Sequence, residues 1–299
     1  MRIWDKIRNS LAALGGAVLA AGATAPLDAK EARPAMWKVS DRDTEIYLFG
    51  TVHLLPPGTQ WRTAKFNKAA NDAGTLVVET IIDEKNPQAF AAELARLSVR
   101  PGQPPILDRV RPEKRAALQA VITKSGIPVI ALNNMETWAA AFALLQLQFK
   151  ELGVSGGDGV EMALRNTFTA AGKPVQQLET NAQQLGFFDS LPEVAQRELL
   201  EGAVESPAVA KRQFDAMLAA WMNGDVEAIA RTFNSELQSS PELKEALLRR
   251  RNVNWSHWLH SRLAHPGTVL VAVGAGHLAG SDSVVEMLKK RGLKVRRVQ

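Results

Sequence analysis

The chain has 299 residues, 46% apolar and 22% charged, with a formal net charge of +5. That length buries a sizeable core in one large domain or two small ones, and the composition is globular, with no low-complexity tract. There are no cysteines, which excludes disulfides, thiolate metal sites and cysteine nucleophiles. The basic charge is dense only at Arg249-Arg250-Arg251 and Lys289-Lys290-Arg291, and without an aromatic stacking platform it does not describe a nucleic-acid surface.

Residues 1–25 read as a signal peptide. Arg2, Lys6 and Arg8 make a basic start, offset by Asp5, and Leu11 to Ala25 is an apolar run rich in Ala and Gly. Ala21-Gly22-Ala23 and Ala23-Thr24-Ala25 both have the small-residue cleavage pattern. The first is favoured, because Pro26 directly follows the second. The run is shorter than the ~20 residues of a comfortable membrane span, so an uncleaved anchor is the alternative. No later segment is apolar enough to span a membrane. The expected location is therefore periplasmic or secreted. Residues 26–35 form a linker, and 36–299 a single domain.

Met36 to Ser40 and Thr44 to Gly50 read as strands around the turn Asp41-Arg42-Asp43. A helix is predicted near Thr63 to Asp72, then a strand from Thr75 to Thr80 that carries Glu79. Helical spacing follows over Asn86 to Ser98 and again over Pro112 to Ser125, where Pro occupies the first turn. The apolar run Ile127 to Leu132 is predicted to be a strand. Thr137 to Leu152 is an apolar helix, and 153–159 a glycine-rich turn. Val160 to Ala171 is a helix closed by Gly172, and Pro174 to Leu178 a strand leading into Glu179. Residues 181–251 are helical, with breaks at Pro192, Pro207, Gly224 and Pro241. Asn252 to Ala264 is helical, Thr268 to Val273 a strand, Ser283 to Arg291 a helix, and Leu293 to Val298 the last strand. The expected fold is α/β, a mixed central sheet built from two pseudo-repeated halves, flanked by helices, with a helical insertion.

One phrase occurs twice. Glu45 to Leu54 and Thr268 to Leu278 each hold a short apolar run, then Gly-x-x-His, then Leu. His53 and His277 therefore fall just past the C-terminal ends of buried strands, the edge where open α/β sheets build their sites. Glu79 and Glu179 also close strands. A carboxylate there is costly unless it is paired or bound to a metal. If the strands are parallel, all four residues share one edge. Two histidines with carboxylates suit a divalent first-row cation such as Mn, Co, Zn or Fe, with water in its open positions. His53, Glu79, His277 and Glu179 are the predicted ligands. Glu79 is favoured as the catalytic acid or base, because a right-handed crossover from the first phrase would set its strand alongside. Glu179 would then orient a ligand histidine. Arg251, beside Asn252, is placed to steady an oxyanion. His257, His260 and His265 form a rival cluster, but it lacks any neighbouring carboxylate.

Other signatures are absent. Gly153-Val154-Ser155-Gly156-Gly157 has the wrong spacing for a nucleophile elbow. Gly274-Ala275-Gly276 opens like a dinucleotide fingerprint, but too little chain follows to complete that domain.

Taken as a set, Phe49-Gly50-Thr51-Val52-His53-Leu54, Val77-Val78-Glu79, Gly159-Val160-Glu161, Leu178-Glu179-Thr180 with Gln183, Arg251-Asn252-x-x-Trp255 and Gly274-Ala275-Gly276-His277-Leu278 resemble the TraB/GumN family. That family is related to the Tiki metalloproteases and, more distantly, to erythromycin esterase-like and ChaN-like proteins. The resemblance runs from about Met36 to Val298. It departs at Glu161, where the family usually has Asp. It implies two pseudo-repeated halves with the histidine pair at a shared cleft. For the Tiki branch it implies metal-dependent hydrolysis of a peptide or protein substrate. His53, Glu79 and His277 match the family's functional positions. The expected function is an exported metal-dependent hydrolase. The alternative is a binding protein for a peptide signal or haem-like ligand, working without turnover.

Overall fold

The hairpin predicted at the start of the domain forms around an Asx turn. Asp41 Oδ1 accepts from the Asp43 and Thr44 backbone N–H groups, and the turn joins β1 (Met36–Ser40) to β2 (Thr44–Thr51) in antiparallel register. The computed structural model describes residues 32–56, 58–82, 86–151, 159–237 and 240–299. The signal segment, most of the linker and the 153–158 part of the glycine-rich turn lie outside these.

The remaining strands among the described residues are β3 (Thr75–Val78), β4 (Val175–Gln177), β5 (Gly267–Gly274) and β6 (Val295–Arg297). Together the six form one mixed sheet in the order β4-β3-β5-β2-β1-β6. β4, β3, β5 and β2 are mutually parallel, while β1 runs antiparallel to both its neighbours. The two strands that carry the repeated phrase, β2 and β5, are central neighbours. Thr44 pairs with Gly267 at one end and Thr51 with Gly274 at the other. β2 and β3 are not side by side, as the single-crossover expectation had it, because β5 lies between them. The C-terminal strand takes the place next to both phrases, so the site assembles only when the two ends of the chain meet.

Helices cover both faces. α1 (Ala64–Asp72) and α6 (Val160–Ala170) pack with Trp221, from the helix Pro207–Met222, on the face carrying Phe49, Leu76, Val78, Leu270 and Ala272. The opposite face carries Ile46, Leu48, Val77, Val269, Val271 and Val273. It is covered by the helices Arg250–Arg262 and Val284–Lys290. Adjacent residues on each strand thus point to opposite cores, and burial on both faces explains why these strands read as unbroken apolar runs.

Of the helices named by range above, Pro207–Met222 is α9, Arg250–Arg262 is α12 and Val284–Lys290 is α13; the other α-helices among the described residues are α2 (Pro87–Ser98), α3 (Arg115–Ser125), α4 (Val129–Asn133), α5 (Thr137–Glu151), α7 (Asn181–Asp189), α8 (Glu193–Gly202), α10 (Val226–Leu237) and α11 (Pro241–Lys244). A separate helical core gathers Leu94, Leu118, Leu132, Trp138, Leu144, Leu185 and Leu200. Most of this core precedes residue 181, so the helical block expected over 181–251 is divided: its first part joins this core, and Trp221 and Ile229 pack on the sheet face with Phe49.

The strand predicted at Ile127 to Leu132 is instead α4. Pro128 has no N–H to give a sheet, and its carbonyl accepts from the Ala131 and Leu132 N–H groups, which starts a helical turn. Only Leu132 is buried there; Ile130 is 68% exposed. The apolar run is surface, and its composition misled the reading.

Candidate functional site

The strand ends meet through small residues. A Cβ added at Gly50 would stand 3.1 Å from Ala275 Cα, so the glycine of the first phrase lets the second phrase close against it. Trp221 Nε1 donates to the Gly50 carbonyl at 2.8 Å and fixes that turn from below. The Gly274 N–H donates to Glu79 Oε1 at 2.7 Å. Past the ends of β3 and β4 the ladder continues: the Glu179 N–H donates to the Glu79 carbonyl at 2.9 Å. Both predicted glutamates are thereby held at the edge that carries the histidines.

Arg251 stands at the focus of these groups. It lies in the first turn of α12, directly after a π-helical turn at Glu245–Arg249. Arg249 and Arg250 are exposed, whereas Arg251 is 7% exposed. Its Nε donates to Glu179 at 3.0 and 3.1 Å. Nη2 donates to Glu79 Oε2 at 2.6 Å and to Glu179 Oε2 at 2.8 Å. Nη1 donates to the Leu247 carbonyl at 3.4 Å and faces His277 Nε2 at 3.2 Å. A guanidinium has five N–H donors and no acceptor, and these contacts engage all five. Trp255, one turn along α12, donates to Glu179 Oε1 at 2.9 Å and lies under the guanidinium, 4.7 Å from it to the ring centroid.

The same contacts fix the state of His277. Arg251 only donates, so Nε2 of His277 accepts and the ring proton is assigned to Nδ1. Nδ1 donates to Asn252 Oδ1 at 2.7 Å, and Asn252 Nδ2 donates to the Asp282 carbonyl at 2.7 Å. Asn252 is fully buried and serves to orient the imidazole. Burial, with the nearby Arg251 and His53 charges, lowers the His277 pKa to about 3 against the upward pull of Glu79. His277 is thus a neutral histidine at physiological pH. Burial pushes the Glu79 carboxyl up, but Arg251, His277, His53 and the Gly274 N–H together hold it at about 2. Burial, with the Glu79 charge, raises Glu179 against the lowering pull of Arg251 and Trp255.

His53 and Glu161 lie outside this buried knot. His53 is exposed, and its ring makes no hydrogen bond among the described residues. The start of α6 is docked on its backbone. The Val160 N–H donates to the Val52 carbonyl at 3.1 Å, and a Cβ at Gly159 would fall 2.4 Å from the His53 carbonyl oxygen. Only glycine permits that approach. It brings Glu161, half-buried in the first turn of α6, to Thr51, whose hydroxyl donates to Glu161 Oε1 at 2.9 Å. Burial, and to a lesser degree the Glu79 charge, raises Glu161 to about 7, against the lowering pull of His53, Thr51 and Arg251. The sequence ligand set omitted Glu161; its acidic place in a helix first turn, two residues after Gly159, was the available signal.

The structure brings His53, Glu79, Glu179, Arg251, Asn252 and His277 to one sheet edge, and adds Glu161. The rival histidines are not gathered there. His257 and His260 are exposed on α12, and the His265 carbonyl accepts from Thr44 Oγ1 at the opposite edge. Three of the four predicted metal donors, Glu79, Glu179 and His277, are already engaged by protein groups in this arrangement. Glu179 spends both oxygens on Arg251 and Trp255, Glu79 Oε2 faces Arg251, and both ring nitrogens of His277 are engaged. Arg251 also has no N–H left for an oxyanion.

Comparison with known proteins gives the lineage. The chain is 25% identical over 244 residues to the uncharacterized protein YbaP of Escherichia coli, covering 82% of this chain and 88% of that one. It is 21% identical over 276 residues to an uncharacterized protein of Treponema pallidum, covering 86% and 80% respectively. No solved structure matches. The TraB/PrgY/gumN family matches residues 35–297, nearly the whole described domain. With that coverage, the chain belongs to the TraB/PrgY/gumN family.

Proposed function

We propose that this chain is a hydrolase that cleaves a peptide bond in the cleft between its two Gly-x-x-His motifs. The observation that carries the reading is the pairing of an exposed imidazole, His53, with a half-buried carboxyl, Glu161, held near 7 at the mouth of a saturated buried cluster. A group with that pKa holds a transferable proton at neutral pH, the condition for acid–base catalysis. His53 takes a proton from the attacking water at a ring nitrogen. The C–O bond forms, the C–N bond breaks, and Glu161 gives its proton to the leaving amine. Glu79, Arg251, Asn252 and His277 form the rigid floor on which these two groups are set. The proposed setting is the periplasm, entered by way of the signal peptide, and N-terminal sequencing of the exported protein checks the cleavage after Ala23.

The test is incubation of the mature protein with a peptide library, read by mass spectrometry, beside His53→Ala and Glu161→Gln. Cleavage by wild type that both variants lose supports the proposal. Equal cleavage by all three overturns it. The second reading is a binding protein, in which the His53 imidazole is an axial ligand for a haem-like group. A Soret band on haem titration that is absent in His53→Ala, with no peptide cleaved, selects that reading.

A further inference from the structure

The buried cluster has the composition of a metal centre, two carboxylates and a histidine, yet its donor atoms converge on a side chain. Oxygens of Glu79 and Glu179 lie 2.6 to 3.1 Å from Arg251 nitrogens, and His277 Nε2 lies at 3.2 Å. We infer that the Arg251 guanidinium is the resident cation of this site, standing in the place a divalent ion would take, and that the centre is built to work without one.

Three features of the surroundings agree. Trp255 and Phe187 flank the guanidinium, with ring centroids at 4.7 and 5.6 Å, a setting for a planar organic cation rather than a hydrated ion. The second ring nitrogen of His277 is fixed by Asn252, which is itself fixed by the Asp282 carbonyl, so the imidazole cannot turn to present a free lone pair. Arginine stays charged at any physiological pH, so a divalent ion at the same oxygens would meet a permanent like charge within contact distance.

This inference is independent of turnover, because it is read from metal content. The protein is purified, dialysed and analysed for Mn, Fe, Co and Zn. Thermal unfolding is then measured with and without each added ion. Wild type is expected to hold only trace metal and to show no saturable shift. Arg251→Ala vacates the centre and leaves Glu79, Glu179 and His277 facing one another. It is expected to gain stoichiometric Zn binding and a rise in melting temperature on Zn addition, both lost again in Arg251→Ala/His277→Ala. Arg251→Lys, which keeps the charge, is expected to bind none. Stoichiometric metal in wild type that disappears in Glu79→Gln or His277→Ala overturns the inference. So does a folded Arg251→Ala that takes up no metal. If Arg251→Ala does not fold, the wild-type and Arg251→Lys measurements decide.

Discussion

Replacing Arg251 by methionine keeps most of the side-chain volume and removes the charge. The guanidinium is the main attraction holding Glu79 at about 2, below its ordinary 4.5. A carboxyl so held contributes about 3 kcal/mol at neutral pH. Glu179 loses its Arg251 partner as well, and breaking a buried ion pair from one side costs about 3–5 kcal/mol. The expected loss for Arg251→Met is therefore about 3–5 kcal/mol at neutral pH. Its sign with pH is fixed. A carboxyl depressed by the fold stabilises fully above its unfolded pKa, and that stability fades as the pH falls from about 4.5 towards 2. In the variant, burial of both carboxyls is opposed only by the weaker pull of His277, His53, the Gly274 N–H and Trp255, so they take up protons on acidification and the penalty is relieved. Burial, the main cause of the low His277 pKa, is common to both proteins. Urea denaturation followed by circular dichroism, at neutral pH and at about pH 4, should therefore show the gap between wild type and variant shrinking by about half or more. A gap of equal size at both pH values would refute the electrostatic account and leave only lost packing.

Three further outcomes follow from the geometry. Gly159→Ala puts a Cβ against the His53 backbone, which cannot give as a flexible side chain would; urea titration should show a loss of about 1–3 kcal/mol, and an unchanged midpoint would remove close approach as the reason for that glycine. Asn252→Asp keeps an acceptor for the His277 Nδ1 proton and adds a negative charge, so an NMR titration should find the His277 pKa raised from about 3; a value that stays put would break the assigned hydrogen-bond chain. If Glu161 is the acid, kcat/KM should fall as the pH rises through about 7, the value to which its carboxyl is raised, and the limb should vanish in Glu161→Gln.

Much of the fold was legible because its signals are local. The repeated apolar run, the glycine and the histidine marked two strand ends, and both lie at one edge on adjacent parallel strands. Glu79 and Glu179 were visible as carboxylates after buried strands, where a charge demands a partner. The identity of that partner was not legible as a centre. Arg251 sits in a run of three arginines, and only the π turn before it and the phase of α12 turn the third one inward. Its spacing to Trp255, four residues on, was the trace of a shared helix face. The role of Glu161 is not legible locally, since its contact with Thr51 spans 110 positions of sequence. The strand expected at 127–132 is absent because Pro128 starts a helical turn there. The neighbour of β2 was missed because a C-terminal strand inserted between two that follow each other in the chain, which no local pattern records.

The measurement that bears most directly on the account is peptide cleavage by the mature protein as purified, set against His53→Ala and Glu161→Gln variants shown by circular dichroism to be folded. The account predicts that wild type cleaves at least one library peptide and that each variant is slower by about 10²–10⁴-fold, the usual worth of a positioned acid or base. Failure of wild type to cleave any peptide, or a folded variant cleaving at the wild-type rate, would contradict it.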